Sequence, residues 1–188
     1  NEEMKSEGTE DVVLNGPHAD AAIVGEPTGL DLSAAHRGLE WIEVEVTGRA
    51  AHGGRPHLGI NAISKMAAFI RKLETELPGR LAGRAHPLMG PPIFNFGVIR
   101  GGTQPSSVAD RCVLQLDRRL TPVETVESVF GELEELIAQC RREDPDFQAT
   151  LSRIPENMAT MDHLAMEFPL DHPLKAILDD AVEQVVGR

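Results

Sequence analysis

The sequence predicts an α+β fold in which one antiparallel sheet carries two helices on a single face. Three observations predict it. Two long segments repeat apolar residues at helical spacing, shorter alternating or apolar runs surround them in the order β-α-β-β-α-β between residues 39 and 154, and Gly- and Pro-rich breaks fall at the junctions. That order is the split, ferredoxin-like pattern, and residues 1–33 and 173–188 fall outside it.

Each element follows from its residues. "ADAAIVG" (19–25) is a short apolar run ending at a Glu-Pro pair, so a buried strand is expected there, with Glu26 at its carboxyl edge. "GLEWIEVEVTGRA" alternates Leu39, Trp41, Val44 and Val46 with charged residues; Ile42 interrupts the period, and a half-buried strand from about 39 to 48 fits best. "GINAISKMAAFIRKLETEL" sets Ile60, Ile63, Ala67, Ile70 and Leu73 on one helical stripe, which Pro78 and Gly79 are expected to stop.

The segment "GRLAGRAHPLMGPP" reads as a loop, and "IFNFGVIRGG" and "DRCVLQLDRRL" as two strands joined by "TQPSSVA". "VETVESVFGELEELIAQCRRED" places Val126, Val129, Phe130, Leu133, Leu136, Ile137 and Cys140 on one stripe, with Thr121 as the expected N-cap and Pro122 at the first helical position. "FQATLSRI" is a last strand, followed by an irregular run and a closing helix, "PLKAILDDAVEQVV".

Composition bounds the function. With 188 residues, 41% hydrophobic and 26% charged, the chain fits one or two small soluble domains. A net charge of -12 disfavours nucleic acid and anionic membrane surfaces as partners, because the summed field repels both. Cys112 and Cys140 stand in no metal or disulfide spacing and read as buried small hydrophobes of a reducing compartment. No apolar run approaches the ~20 residues that span a bilayer, and no secretory pattern opens the chain, so a cytoplasmic location is expected. Asn1 begins and Arg188 ends the chain without a leading or closing element, so both ends read as cut.

Four stretches carry chemistry-bearing residues. Glu2 and Glu3 are adjacent carboxylates, which are either both solvated or held around a positive group. Glu26 of "GEPT" sits where a sheet presents ligands, although turn chemistry explains the motif equally well. His52 of "AAHGGRPHLGINA" lies beside Gly53 and Gly54 on what reads as a flexible rim. "GGTQPSSVADRC...LDRR" offers Gly101, Gly102, Ser106 and Ser107 and, further on, two arginines pointing to opposite faces; Arg119 is taken to face a site and Arg118 to be solvated or ion-paired. From the residues alone, a stand-alone ferredoxin-like oligomerisation or ligand-binding module without catalysis is equally compatible with the fold.

In this order the four stretches, with "DHPL" at 171–174, resemble a central piece of an M20-family zinc amidohydrolase, the group that includes acetylornithine deacetylase, succinyl-diaminopimelate desuccinylase, aminoacylase and carboxypeptidase-G-type enzymes. The resemblance implies a lid or dimerisation domain at 34–155, flanked by pieces of an α/β zinc-hydrolase catalytic domain: the end of its first segment at 1–33, and a linker and return at 156–188. It implies Glu2 as general base, Glu3 and Glu26 as metal ligands, and His52 as an oxyanion donor reaching the partner subunit's site in a homodimer. It further implies Arg119, Ser106, Gly101 and Gly102 as substrate contacts. The implied cofactor is zinc, two ions per site, with cobalt or manganese also suited to such ligands. The implied substrate is a small N-acyl amino acid or peptide.

The chain departs from the family pattern at Ser106, where the family has Asn, at Ala109, where it has Pro, and at Asn1, where it has Asp. An upstream His-x-Asp motif, a bridging Asp and a late His of that family have no counterpart here, so the chain by itself is expected to be an inactive fragment.

Overall fold

The computed structural model describes residues 7–154 and 162–187. In chain order its elements are α1 (Glu7–Asn15), β1 (Ala35–His36), β2 (Gly38–Thr47), α2 (Ala62–Ala82), β3 (Ile93–Gly101), β4 (Arg111–Leu120), α3 (Val126–Glu143), β5 (Gln148–Arg153), β6 (Met166–Glu167) and α4 (Pro173–Val186). They divide into two units, residues 37–165 and the remainder.

In the unit of residues 37–165, β2-α2-β3-β4-α3-β5 builds a four-stranded sheet of order β3-β4-β2-β5 with every neighbouring pair antiparallel. Both helices pack on one face, so the α+β class and the β-α-β-β-α-β order hold. The core joins Ile42, Val44 and Val46 of β2 and Cys112, Leu114 and Leu116 of β4 to Met66, Phe69 and Leu73 of α2 and Leu133, Leu136 and Ile137 of α3.

Several details differ from the sequence expectation. The buried face of β2 is Glu40, Ile42, Val44 and Val46, so Ile42 keeps the alternation, while Leu39 and Trp41 lie half-buried on the opposite face. The buried stripe of α2 is Ala62, Met66, Phe69, Leu73, Leu77 and Leu81 rather than the row through Ile60, Ile63 and Ala67. Of two apolar rows one residue apart, the one that runs unbroken to Leu81 faces the sheet. That row also carries the helix through Pro78, which is exposed, so the carbonyl it leaves without a helical donor, that of exposed Glu74, is open to water. Helix α3 starts four residues later than expected. Thr125, not Thr121, is its N-cap, in a reciprocal capping box with Ser128.

Thr121 instead donates its backbone N–H to Glu124, and that carboxylate takes Arg118 at 2.7 Å in the core. Arg84 forks onto Glu132 and reaches Glu124, so two carboxylates and two guanidiniums share one partly buried cluster under α3. A second pair lies on the same face toward the β5 edge: Glu40, 0% exposed, accepts from Arg153 at 2.9 and 2.7 Å, and the partly exposed Arg153 also meets Asp162 at 2.7 Å.

In the other unit, β1 and β6 form a two-residue antiparallel pair, and α4 opens on Pro173 with His172 as N-cap and closes on Gly187 in the left-handed region. Helix α1 was not anticipated, since its residues bury no apolar stripe. The strand expected at 19–25 is absent: Ile23 and Val24 are 68% and 76% exposed, and no strand among the described residues pairs with them. An apolar run becomes a strand only when a neighbour accepts its backbone hydrogen bonds.

Arg153→Ala would leave the Glu40 carboxylate buried against apolar neighbours. The expected loss is about 3–5 kcal/mol, measured as a lowered urea midpoint, and the double variant Glu40→Met/Arg153→Met recovers most of it. A single variant as stable as the parent would show that Glu40 is not held by this pair.

Candidate functional site

The loop that carries His52 is laced to the loop before β4. Gly48 donates to Asp110 O at 2.7 Å, Arg49 and Ile60 exchange two bonds at 2.9 Å, Val108 donates to Ala51 O at 2.8 Å, Gly53 to Ser106 O at 2.7 Å, and Ala62 to Ala109 O at 2.8 Å. One turn of 3-10 helix, Pro56–Leu58, closes the excursion before Asn61 caps α2. His52 therefore stands opposite Ser107 in a short antiparallel bridge. The expected flexible rim is corrected: its backbone is bonded along most of its length. Gly53 and Gly54 are not in the left-handed region; they serve close approach, since a Cβ at Gly53 would meet Ser106 O at 2.9 Å and one at Gly54 would meet His52 Nδ1 at 3.0 Å.

The same geometry sets the histidine's chemistry. Gly54 N–H donates to His52 Nδ1 at 3.0 Å, so the neutral ring carries its proton on Nε2, and the exposed side chain is presented as a donor. An imidazole held this way can stabilise a developing oxyanion without first being protonated. Ser106 lies exposed beside it, and Gln104 Nε2 donates to Ser107 Oγ at 3.1 Å. Gly101 and Gly102 lead into this loop. Gly101 packs against Cys112 and Ile63 where a Cβ would collide at 2.9 Å, and Gly102 has φ +71°, so both have a structural reason to be glycine.

Arg119 lies elsewhere. It is near the far end of β4, eight residues beyond Arg111, and at about 3.4 Å per residue that is roughly 27 Å along the strand. Its side chain is 41% exposed on the sheet face opposite the helices and is held by Asp117 through Nε at 3.0 Å and Nη2 at 2.8 Å. Arg118 points the other way, into the helix layer, and is the ion-paired residue of the two. Sequence reading missed Asp117; its signal was the spacing of two, which places both side chains on one face of the strand. The structure thus brings His52, Ser106, Gly101 and Gly102 to one end of the sheet and leaves Arg119 at the other.

Glu26 is exposed in the other unit, its carbonyl accepting from Thr28 N–H at 2.8 Å. Glu2 and Glu3 lie outside the described residues. Among the described residues no group of three His, Cys, Asp or Glu is placed to hold a metal ion. His172 Nδ1 caps α4 and His86 Nδ1 accepts from Leu88 N–H at 3.3 Å, which are local structural uses. Burial pushes the thiols of Cys112 and Cys140 up, so neither is a nucleophile at neutral pH.

Comparison with known proteins adds the family. The model of the peptidase dimerisation domain, M20_dimer, matches residues 34–145, more than half of the chain. The acetylornithine deacetylase of Proteus mirabilis is 31% identical over 166 residues, 85% of this chain and 40% of its own length. A protein of Aspergillus clavatus named as a probable carboxypeptidase is 44% identical over 92 residues, 47% of this chain and 22% of its own. The crystal structure of an aminopeptidase from Bacillus cereus superposes with a TM-score of 0.60 at 21% identity, covering 82% of this chain and 37% of that one, a likeness of fold. The chain spans about two-fifths of the length of the deacetylases it matches. With these matches on the helix-covered sheet and its laced histidine loop, the chain belongs to the M20 peptidase family and contains its dimerisation domain.

Proposed function

We propose that this chain is the dimerisation part of an amidohydrolase that cleaves a small N-acyl amino acid or peptide, and that it delivers His52 of one copy to the active site of the other. The observation that carries the reading is the separation along β4. Roughly 27 Å divides the Arg119 end of the sheet from the end where Ser106 and His52 stand, so a ligand the size of an amino acid cannot touch both within one copy. Two copies related by a two-fold axis make both available to one site. Strand β3 is an edge of the sheet, with Ile93 and Ile99 47% and 54% exposed, and its pairing with the same strand of a second copy is the proposed contact.

In this reading Arg119 binds the substrate's carboxylate through its planar donor fork, and Ser106, Gly101 and Gly102 border the histidine's end of the bound molecule. His52 Nε2–H donates to the tetrahedral oxyanion. Glu2 takes the proton of the attacking water and returns it to the leaving amine. The proposed cofactor is zinc, with cobalt or manganese as substitutes and Glu3 and Glu26 as carboxylate ligands; imidazole ligands would have to join them, and the described residues do not assemble such a set. The whole protein would act in the cytoplasm, and no helix among the described residues is long and apolar enough to cross a membrane.

The test is complementation in the full-length protein. His52→Ala is expected to lower kcat by about 100- to 1000-fold while light scattering still reports a dimer. Mixing it with a Glu2→Ala variant and allowing subunits to exchange should restore roughly a quarter of the activity, the share of sites completed by random pairing. Restoration of nothing, or full turnover by the His52 variant alone, would end the two-copy reading. Activity should also fall on chelation and return with added zinc; turnover that survives chelation would remove the metal from the proposal.

A further inference from the structure

Three ion pairs of this fold use the same two chemical groups in different ways. Arg153 meets Glu40 fork to fork, Nε to Oε1 and Nη2 to Oε2. Arg84 meets Glu132 end-on, again with both oxygens engaged, Nη1 to Oε2 and Nη2 to Oε1. Arg119 meets Asp117 differently: Nε and Nη2 both donate to Oδ2 alone, and Oδ1 is buried with no partner among the described residues. A pair selected for stability would be expected to engage both oxygens, and a buried acceptor left unpaired calls for an explanation.

The consequence for the guanidinium is directional. Asp117 occupies the Nε side, and no other carboxylate among the described residues reaches Arg119. Apart from the bond of Nη2 to Asp117, the Nη1–Nη2 end donates to no other group among the described residues. Arg118 Nη1 donates to the Arg119 carbonyl at 3.2 Å, which ties the backbone beneath it to the buried cluster. Leu39 and Ile93 stand on either side of Arg119 in the same row, so both of its direct cross-strand neighbours are apolar.

We propose that Asp117 is a positioning residue: it clamps one edge of the Arg119 guanidinium so that the other edge is presented, pre-oriented, to a ligand carboxylate. The proposal rests on the reading that Arg119 binds the substrate's carboxylate, and it adds what aims that arginine. Clamping lowers the conformational entropy that a free arginine loses on binding.

Two measurements separate the clamp from the function it serves. In the 188-residue chain, the Arg119 Nε–H resonance is expected to exchange with water more slowly than that of Arg100, which is exposed and has no such partner among the described residues. Asp117→Ala, which removes the accepting oxygen, should abolish the difference. Equal exchange in the unmodified chain would overturn the proposal, whatever the full-length protein does. In the full-length protein, the ratio of kcat/KM for an N-acetyl amino acid to that for its carboxamide analogue should fall about tenfold in Asp117→Ala, chiefly through KM. Adding Asp117→Ala to Arg119→Ala should lower that ratio no further. A ratio unmoved by Asp117→Ala, or additive losses in the double variant, would make Asp117 merely structural. Absence of turnover on both substrates would instead remove the amidohydrolase reading and leave the exchange experiment to decide the clamp.

Discussion

Strand β4 is hydrogen-bonded along both edges, to β2 on one side and β3 on the other, and its alternation decides where every charge of this sheet goes. A slip of one residue would exchange its faces. In the observed register Cys112, Leu114, Leu116 and Leu120 enter the core and carry Arg118 in with them, so the core must also contain carboxylates to meet a guanidinium that is 1% exposed. Glu124 and Glu132 meet that need from the turn before α3 and from α3 itself. The same register turns Asp117 and Arg119 outward together. The buried cluster and the exposed pair are two results of one constraint.

The second constraint is the lacing of residues 48–62 to 102–110. A donor on a long loop, as His52 is proposed to be, ordinarily has to be ordered at the moment it acts, at an entropic cost of roughly 1–2 kcal/mol per residue. Here backbone bonds from Gly48, Val108, Gly53 and Ala62 make most of that ordering part of folding. The imidazole itself is oriented by an amide two residues away, which also selects its tautomer. Glycine at 53 is called for by its close approach to the Ser106 carbonyl, and at 54 a side chain would press on the His52 ring.

Much of this was legible beforehand. Helices α2 and α3, the strands at 39–48, 93–102 and 110–120, and their order followed from period and punctuation, because those segments bury their apolar residues within one unit. Parity within β2 and the row chosen by α2 were not legible. Glu40 looks like a surface residue until Arg153, more than a hundred positions away, is placed opposite it, and α2 offered two apolar rows of similar quality. The run at 19–25 was misread for the complementary reason. Its composition suits a strand, but pairing is a property of two segments. At the candidate site, residue types suggested His52 and Arg119, while the groups that orient them, a backbone amide and an aspartate two positions away, carry almost no signal of their own.

Rigidity and separation belong together. Two groups held at opposite ends of one strand cannot be brought to a common ligand by side-chain motion, since an arginine or histidine side chain reaches only a fraction of the ~27 Å between them. Large loop movement would break the lacing that orients the histidine. A rigid sheet that places its donors far apart is poorly built for a site within one copy. It is well built for a symmetric pair, where each copy's donor must keep its aim across an interface and where every error in the sheet's register is carried into the neighbouring site. In the proposed two-copy site, the strictness of β4's register and the stiffness of the His52 loop would be demands of the same assembly, and the proposed clamp on Arg119 would meet them at the other end of the strand.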